Sequence, residues 1–241
     1  MNLSCILVLI DLFHKGLVAP YSGDIDHVNE YVDEVLSDHL PTVVEKANLD
    51  TTEMPDFYFN VQDPLVKAEV FDGTVIFYSG NLTGLSFVNR KYCGYLSRSS
   101  GSIRIVCNVV LPRVSVAYRG RYETTTGYIT SENNKARVQQ REFYSEILLK
   151  DVEAQIELTK LNDEHPSITN LLLLREGEVT KVFQYNNAYK NHVLNRFHVP
   201  YHEISGTFYQ KFIHLFQQIF YGSYREVLEN AFSTVEYPEL H

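Results

Sequence analysis

Residues 206–232 read GTFYQKFIHLFQQIFYGSYREVLENAF, and what this stretch needs from the rest of the chain decides the fold. Phe208, Tyr209, Phe212, Leu215, Phe216, Ile219, Phe220, Val227, Leu228, Ala231 and Phe232 recur at i, i+3, i+4 and i+7, which places them on one broad face of a helix. At about 1.5 Å per residue the helix would extend roughly 40 Å. Gln217, Gln218, Arg225, Glu226 and Glu229 supply its wet side, and Gly222-Ser223 is the weak point at which it is expected to bend. So wide an apolar face requires a large apolar surface laid against it.

That surface lies upstream. Strand signals run almost without interruption: 70–78, 82–92, 102–111, 114–122, 137–149, 152–160, 168–174 and 179–185, separated by turns rich in Gly, Asn, Asp and Ser. Val152, Ala154, Ile156 and Leu158 alternate with Glu153, Gln155, Glu157 and Thr159, so this strand is apolar on one face only. Val114, Val116, Tyr118 and Tyr122 alternate in the same way with Ser115, Ala117, Arg119 and Arg121. Successive strands with no helices between them mean an antiparallel meander. Before the strands, residues 24–46 form a second amphipathic helix, with Val28, Tyr31, Val32, Val35, Leu36 and Leu40 on the apolar face and Asp24 and Asp26 suited to its N-terminus. Pro41 should bend it, and residues 48–64 read as a loop with a short extended piece at 57–61. The expected fold is α+β: a long, highly curved antiparallel sheet wrapped around a long C-terminal helix, with the N-terminal helix beside it.

Composition sets the outer limits. The chain has 241 residues, 44% hydrophobic and 21% charged, which suits a folded domain with a sizeable core. It carries 17 Tyr and 14 Phe but no Trp. A formal net charge of -9 argues against nucleic-acid binding and against capture by anionic membranes. Residues 1–22 read as a signal peptide built on the apolar run 3–13, although Asp11 interrupts it and no Lys or Arg precedes it. The run is too short to span a bilayer. Residues 23–241 then form a single secreted domain with no segment for integral membrane insertion. A buried N-terminal strand is the structural alternative for the same run.

The stretch 26–36, DHVNEYVDEVL, the segment 178–185, EVTKVFQY, leading to Asn191-His-Val-Leu-Asn195, and the last helix ending Val227-Leu-Glu-Asn-Ala-Phe232 resemble the mite group-seven allergens in order and spacing. The resemblance covers roughly residues 24–235. That family is in turn similar to one half of the bactericidal/permeability-increasing and lipopolysaccharide-binding proteins, and to the takeout and juvenile-hormone-binding carriers. It implies a rolled sheet around a long helix that holds lipid. The present chain departs from those relatives: it has one such unit, lacks the basic surface expected of an endotoxin binder, and lacks the early cysteine pair of the takeout group.

Sites of chemistry are few. There is no GxSxG, HExxH, P-loop or dinucleotide fingerprint, no cofactor is expected, and the reading is of a protein that is not an enzyme. His192, His198 and His202 followed by Glu203 read as surface residues around a proline, not as a metal site. Cys5 falls in the leader, leaving Cys93 and Cys107. A three-residue hairpin loop at Ser99, Ser100 and Gly101 would pair the strand on either side so that these cysteines face each other and bond in an oxidising compartment. Asn81-Leu-Thr83 is the only glycosylation triplet after residue 22, and Gly80 and Gly84 on either side place it in an exposed turn.

For ligand binding, Phe208, Phe212, Phe216 and Phe220 form one stripe and Val28, Val32, Val35 and Leu36 another, with Tyr118, Phe143, Ile156 and Phe183 as wall positions on the sheet. If these surfaces do not meet completely, the space between them holds an elongated hydrophobic molecule: a fatty acid, a terpenoid or a lipid tail. The alternative is an innate-recognition or other protein-binding module whose core is fully packed and whose surface carries the function.

Overall fold

The computed structural model describes residues 22–62, 72–99, 102–126, 137–161, 165–185 and 200–238. Helix α1 (Ser22–Glu34) runs into a π-helical turn (Val35–His39) and then α2 (Leu40–Lys46). The π-turn answers Pro41. A proline lacks the N–H needed for the helical ladder and its ring crowds the preceding turn. The chain widens just before it, with the Leu40 N–H bonding to the carbonyl of Val35, so the helical run continues instead of breaking.

Among the described residues eight antiparallel strands follow in one sheet: β1 (Thr51–Met54), β2 (Phe57–Gln62), β3 (Asp72–Thr83), β4 (Asn89–Ser99), β5 (Ser102–Thr126), β6 (Arg137–Leu161), β7 (Ser167–Arg175) and β8 (Glu178–Tyr185). The two 25-residue strands β5 and β6 pair along their whole length and form the spine. Shorter strands are laid end to end along each flank. β4 and β3 share the outer side of β5, while β7 and β8 share the outer side of β6. β1 and β2 both pair with β3. The result is a large curved sheet that does not close.

The sequence expectation of breaks at 111–114 and 149–152 is corrected here. Burial on β5 falls on Ile105, Cys107, Val109 and Leu111, then switches parity to Val114, Val116, Tyr118 and Tyr122. β6 switches likewise, from Phe143, Ile147 and Leu149 to Val152, Ala154, Ile156 and Leu158. The two switches lie opposite each other, with Leu111 facing Val152 and Arg113 facing Lys150. Asp151, at φ 56°, takes up the rotation. Two successive residues face outward at a kink, and the strands carry on through it. Bending is also relieved where rings lie over glycine backbone: a Cβ at Gly80 or Gly120 would sit 2.2 Å from the ring of Tyr118 or Phe143.

Helix α3 (Tyr201–Tyr221) and helix α4 (Ser223–Ser233) are the bent C-terminal helix, starting five residues earlier than the periodicity indicates and broken at Gly222 as expected. Gly222 has φ -96° and ψ -108°, off the helical region. Buried residues from both helical ends and the sheet form one contiguous core. Arg90 on β4 holds Asp33 on α1 through two bonds of 2.8 and 2.7 Å, and the Tyr31 hydroxyl donates to the Phe232 carbonyl at 2.7 Å. The N-terminal helix is thereby fastened between β4 and α4.

Two further expectations change. Asn81 lies inside β3, opposite Glu53 on one side and Ala117 on the other, and not in an exposed turn. The irregularity its glycine neighbours announced is a register shift between Tyr78 and Asn81, so the strand bulges without reversing. The β4–β5 pairing brings Cys93 opposite Cys107 as expected, and they are disulfide-bonded. The loop register differs, since Ser99 faces Ser102 and leaves only residues 100 and 101, outside the described residues, between them. A shift between Cys93 and Tyr95 restores the cysteine pairing.

Candidate functional site

The structure divides the sequence-derived set into two groups. Phe208, on the first half of α3, stacks flat on Phe77 of β3 at 4.3 Å and 4°. Tyr118 meets the same ring edge-on at 5.8 Å, and Phe183 of β8 does so at 5.9 Å. Phe143 touches both Phe77 and Phe183. This aromatic layer joins the helix directly to the sheet. Phe212, Phe216 and Phe220 continue along α3, each ring tilted on the next at 5.9 and 5.7 Å. Phe208, Phe212 and Phe216 retain no exposed surface, so side chains fill the interval under these turns.

Val28, Val32, Val35 and Leu36 belong to the other end of the molecule, where α1 packs against β4 and α4. Ile156 sits there too, facing Cys107 on one side and Leu171 on the other. The two apolar stripes therefore lie in succession along the core instead of facing each other. The layer also uses Phe57, Phe59 and Tyr201, which the sequence set omits. Their signal was present: Phe57, Phe59 and Val61 alternate at strand period, in a segment otherwise read as loop.

Several tyrosines carry polar atoms into this interior. The Tyr118 hydroxyl donates to the Pro55 carbonyl at 3.0 Å, and burial, with a smaller contribution from Asp56, raises its pKa. Tyr209 donates to Glu176 under Lys181; burial comes first and that bond second in raising it. Tyr224 is wholly buried with no hydrogen-bond partner among the described residues, and burial alone raises it. All stay neutral at physiological pH.

An open site lies at the end of the α1 group. A cleft of about 600 Å³ separates the π-turn and Pro41 from residues 83–89, with Pro112 and Arg113 on its third side. Leu36, from the sequence-derived set, lines it. Phe87 stands 67% exposed at its rim, between the buried Leu85 and Val88. Gly84 fixes this rim. Its φ of 97° is a left-handed conformation, and a Cβ there would lie 2.0 Å from the Arg113 carbonyl oxygen. Phe87, Pro112 and Arg113 were missed from sequence because residues 112–113 read as a turn and residues 82–92 as one strand. The structure corrects the latter, since β3 ends at Thr83, β4 begins at Asn89 and residues 84–88 form the loop that carries Phe87.

A smaller cleft of about 320 Å³ lies between His165 and residues 233–237. Lys160 lines it, with its Nζ 5.2 Å over the Tyr237 ring. His202 is exposed on the first turn of α3, while His192 and His198 fall outside the described residues. The signal-peptide reading of residues 1–22 also falls there, apart from Ser22, which begins α1. Among the described residues no helix is long and apolar enough to cross a membrane.

The class defined by these observations is an α+β protein whose curved, unclosed antiparallel sheet packs on a bent C-terminal helix. No family model matches the chain, and no curated protein matches it. Among solved structures it is similar to lipopolysaccharide binding protein, at 12% identity and a TM-score of 0.36, over 87% of this chain and 36% of that one. The chain thus spans about a third of that protein's length.

Proposed function

We propose that the protein binds and carries an elongated hydrophobic molecule, a fatty acid, a terpenoid or a lipid tail, and acts by binding rather than by catalysis. The observation that carries this reading is the cleft beside the π-turn. Its volume of about 600 Å³ lies within the range of small-molecule sites, and its walls include Leu36, Pro41, Phe87, Val88 and Pro112. Leu36 belongs to the buried stripe that begins at Val28 and continues through Leu40 and Val44, so the cleft opens at the edge of the apolar core. The Cys93–Cys107 bond supports an oxidising, extracellular setting.

The energetics are close to balance. Each buried methylene contributes about 0.8 kcal/mol, so about ten carbons bring roughly 8 kcal/mol against an association cost of about 4–15 kcal/mol. Apolar contact alone therefore gives modest affinity. Organic extraction of the purified protein followed by mass spectrometry, together with displacement of an environment-sensitive apolar dye, tests the reading. Phe87→Ser should weaken dye binding without loss of stability, because Phe87 is already largely exposed.

One observation favours the second reading. The absence of exposed surface on Phe208, Phe212 and Phe216 describes a filled interior, as expected of a module that binds another protein through its surface. If extraction yields no lipid and no apolar molecule displaces the dye, that reading replaces the first.

A further inference from the structure

The geometry points to Arg113 as the anchor for an anionic head, which makes the ligand of the cleft a single-chain amphiphile ending in a carboxylate or a phosphate. This rests on the proposed apolar binding in the same cleft and specifies its chemistry. Arg113 reaches the cleft because of the strand kink. The parity switch turns Pro112 and Arg113 outward in succession, so that one strand offers an apolar ring and a guanidinium side by side. The backbone there is held by the contact between Gly84 and the Arg113 carbonyl.

Several basic side chains of the sheet are held in ion pairs; of those with none among the described residues, which include Arg119 and Lys150, Arg113 is the one that lines this cleft. Arg90 is bound to Asp33, Lys91 and Arg175 to Glu153, Arg104 to Glu157 and Arg121 to Glu123. Arg113 has no ion-pair partner among the described residues. Asp50, the carboxylate of the cleft lining, accepts the Ser86 hydroxyl at 2.8 Å and is not bonded to Arg113. An unpaired guanidinium presents a planar fork that binds a carboxylate or phosphate through two hydrogen bonds, and Phe87 and Pro112 beside it offer the start of an apolar track for the chain.

Dye displacement on the full chain with dodecanoate, dodecyl phosphate and dodecanol tests the anchor. The wild type should bind the better of the two anions at least about ten-fold more tightly than the alcohol, with the margin shrinking as salt is raised. Arg113→Gln should abolish that margin while leaving the alcohol's affinity unchanged, and Arg113→Lys should keep part of it. The order of carboxylate and phosphate identifies the head. Equal binding of anion and alcohol by the wild type, or an undiminished margin in Arg113→Gln with an unchanged thermal midpoint, overturns the anchor while leaving apolar binding in place. If none of the three binds, the carrier reading itself fails, and the anchor with it.

Discussion

Replacing Phe208 with alanine should be among the most damaging single changes in the molecule. The ring is wholly buried and stacks on Phe77 at 4.3 Å, with Tyr118, Phe183 and Phe57 at 5.8, 5.9 and 6.1 Å. Withdrawing a buried Phe side chain from an apolar site costs about 3 kcal/mol at the upper end of transfer values, and loss of the stacked pair adds about 1 kcal/mol. The neighbouring rings belong to strands locked in register and to the helix itself, so the cavity collapses poorly, and a total of about 4–5 kcal/mol is expected. With a urea slope of about 2.5 kcal/mol per molar, the unfolding midpoint should fall by roughly 1.5–2 M at unchanged slope. Tyr58→Ala, at a position 72% exposed on β2, serves as the control and should change stability by less than about 0.5 kcal/mol. A Phe208→Ala midpoint within about 0.5 M of wild type would refute the claim that this ring joins helix to sheet.

The Cys93–Cys107 bond closes a loop with a sequence separation of 14, so replacing both cysteines with serine should lower stability by about 3 kcal/mol in the same urea assay. Thiol titration of denatured, unreduced protein should find neither cysteine free, and detection of both would overturn the assignment. Tyr224→Phe removes a buried hydroxyl that has no partner among the described residues, and should raise stability by about 1 kcal/mol; a marked loss instead would reveal a hydrogen bond to that oxygen. Tyr31, Tyr118, Tyr209 and Tyr224 all have folded-state pKa values raised by burial. Their contribution to stability is therefore complete below the ordinary tyrosine value of about 10 and is lost as pH rises above it. Ultraviolet titration should show these phenols ionising only together with unfolding, and smooth ionisation with the circular dichroism unchanged would contradict their burial.

How much of this was legible in the chain depended on whether the signal was local. The apolar stripe of residues 206–232, its weak point at Gly222 and the alternation on β5 and β6 are properties of neighbouring residues, and each appears in the structure where the sequence places it. The cysteine pairing was also legible, because a hairpin couples residues through a short connection, although a compensating irregularity after Cys93 was not. Tertiary structure alone decided the rest. A change of apolar parity at 111–114 looks the same in sequence whether the chain turns back or only kinks, and pairing of β5 with β6 on both sides of it keeps each strand continuous through the kink. Gly80 and Asn81 look like a turn until β1 pairs with both and β5 with Asn81. The two apolar stripes gave no indication that they lie end to end, since periodicity fixes which face of a helix is buried and not what it is buried against. For the same reason Arg113 carries no mark in the sequence: its place at the cleft comes from a kink shared by two strands and from Gly84 pressed against its carbonyl.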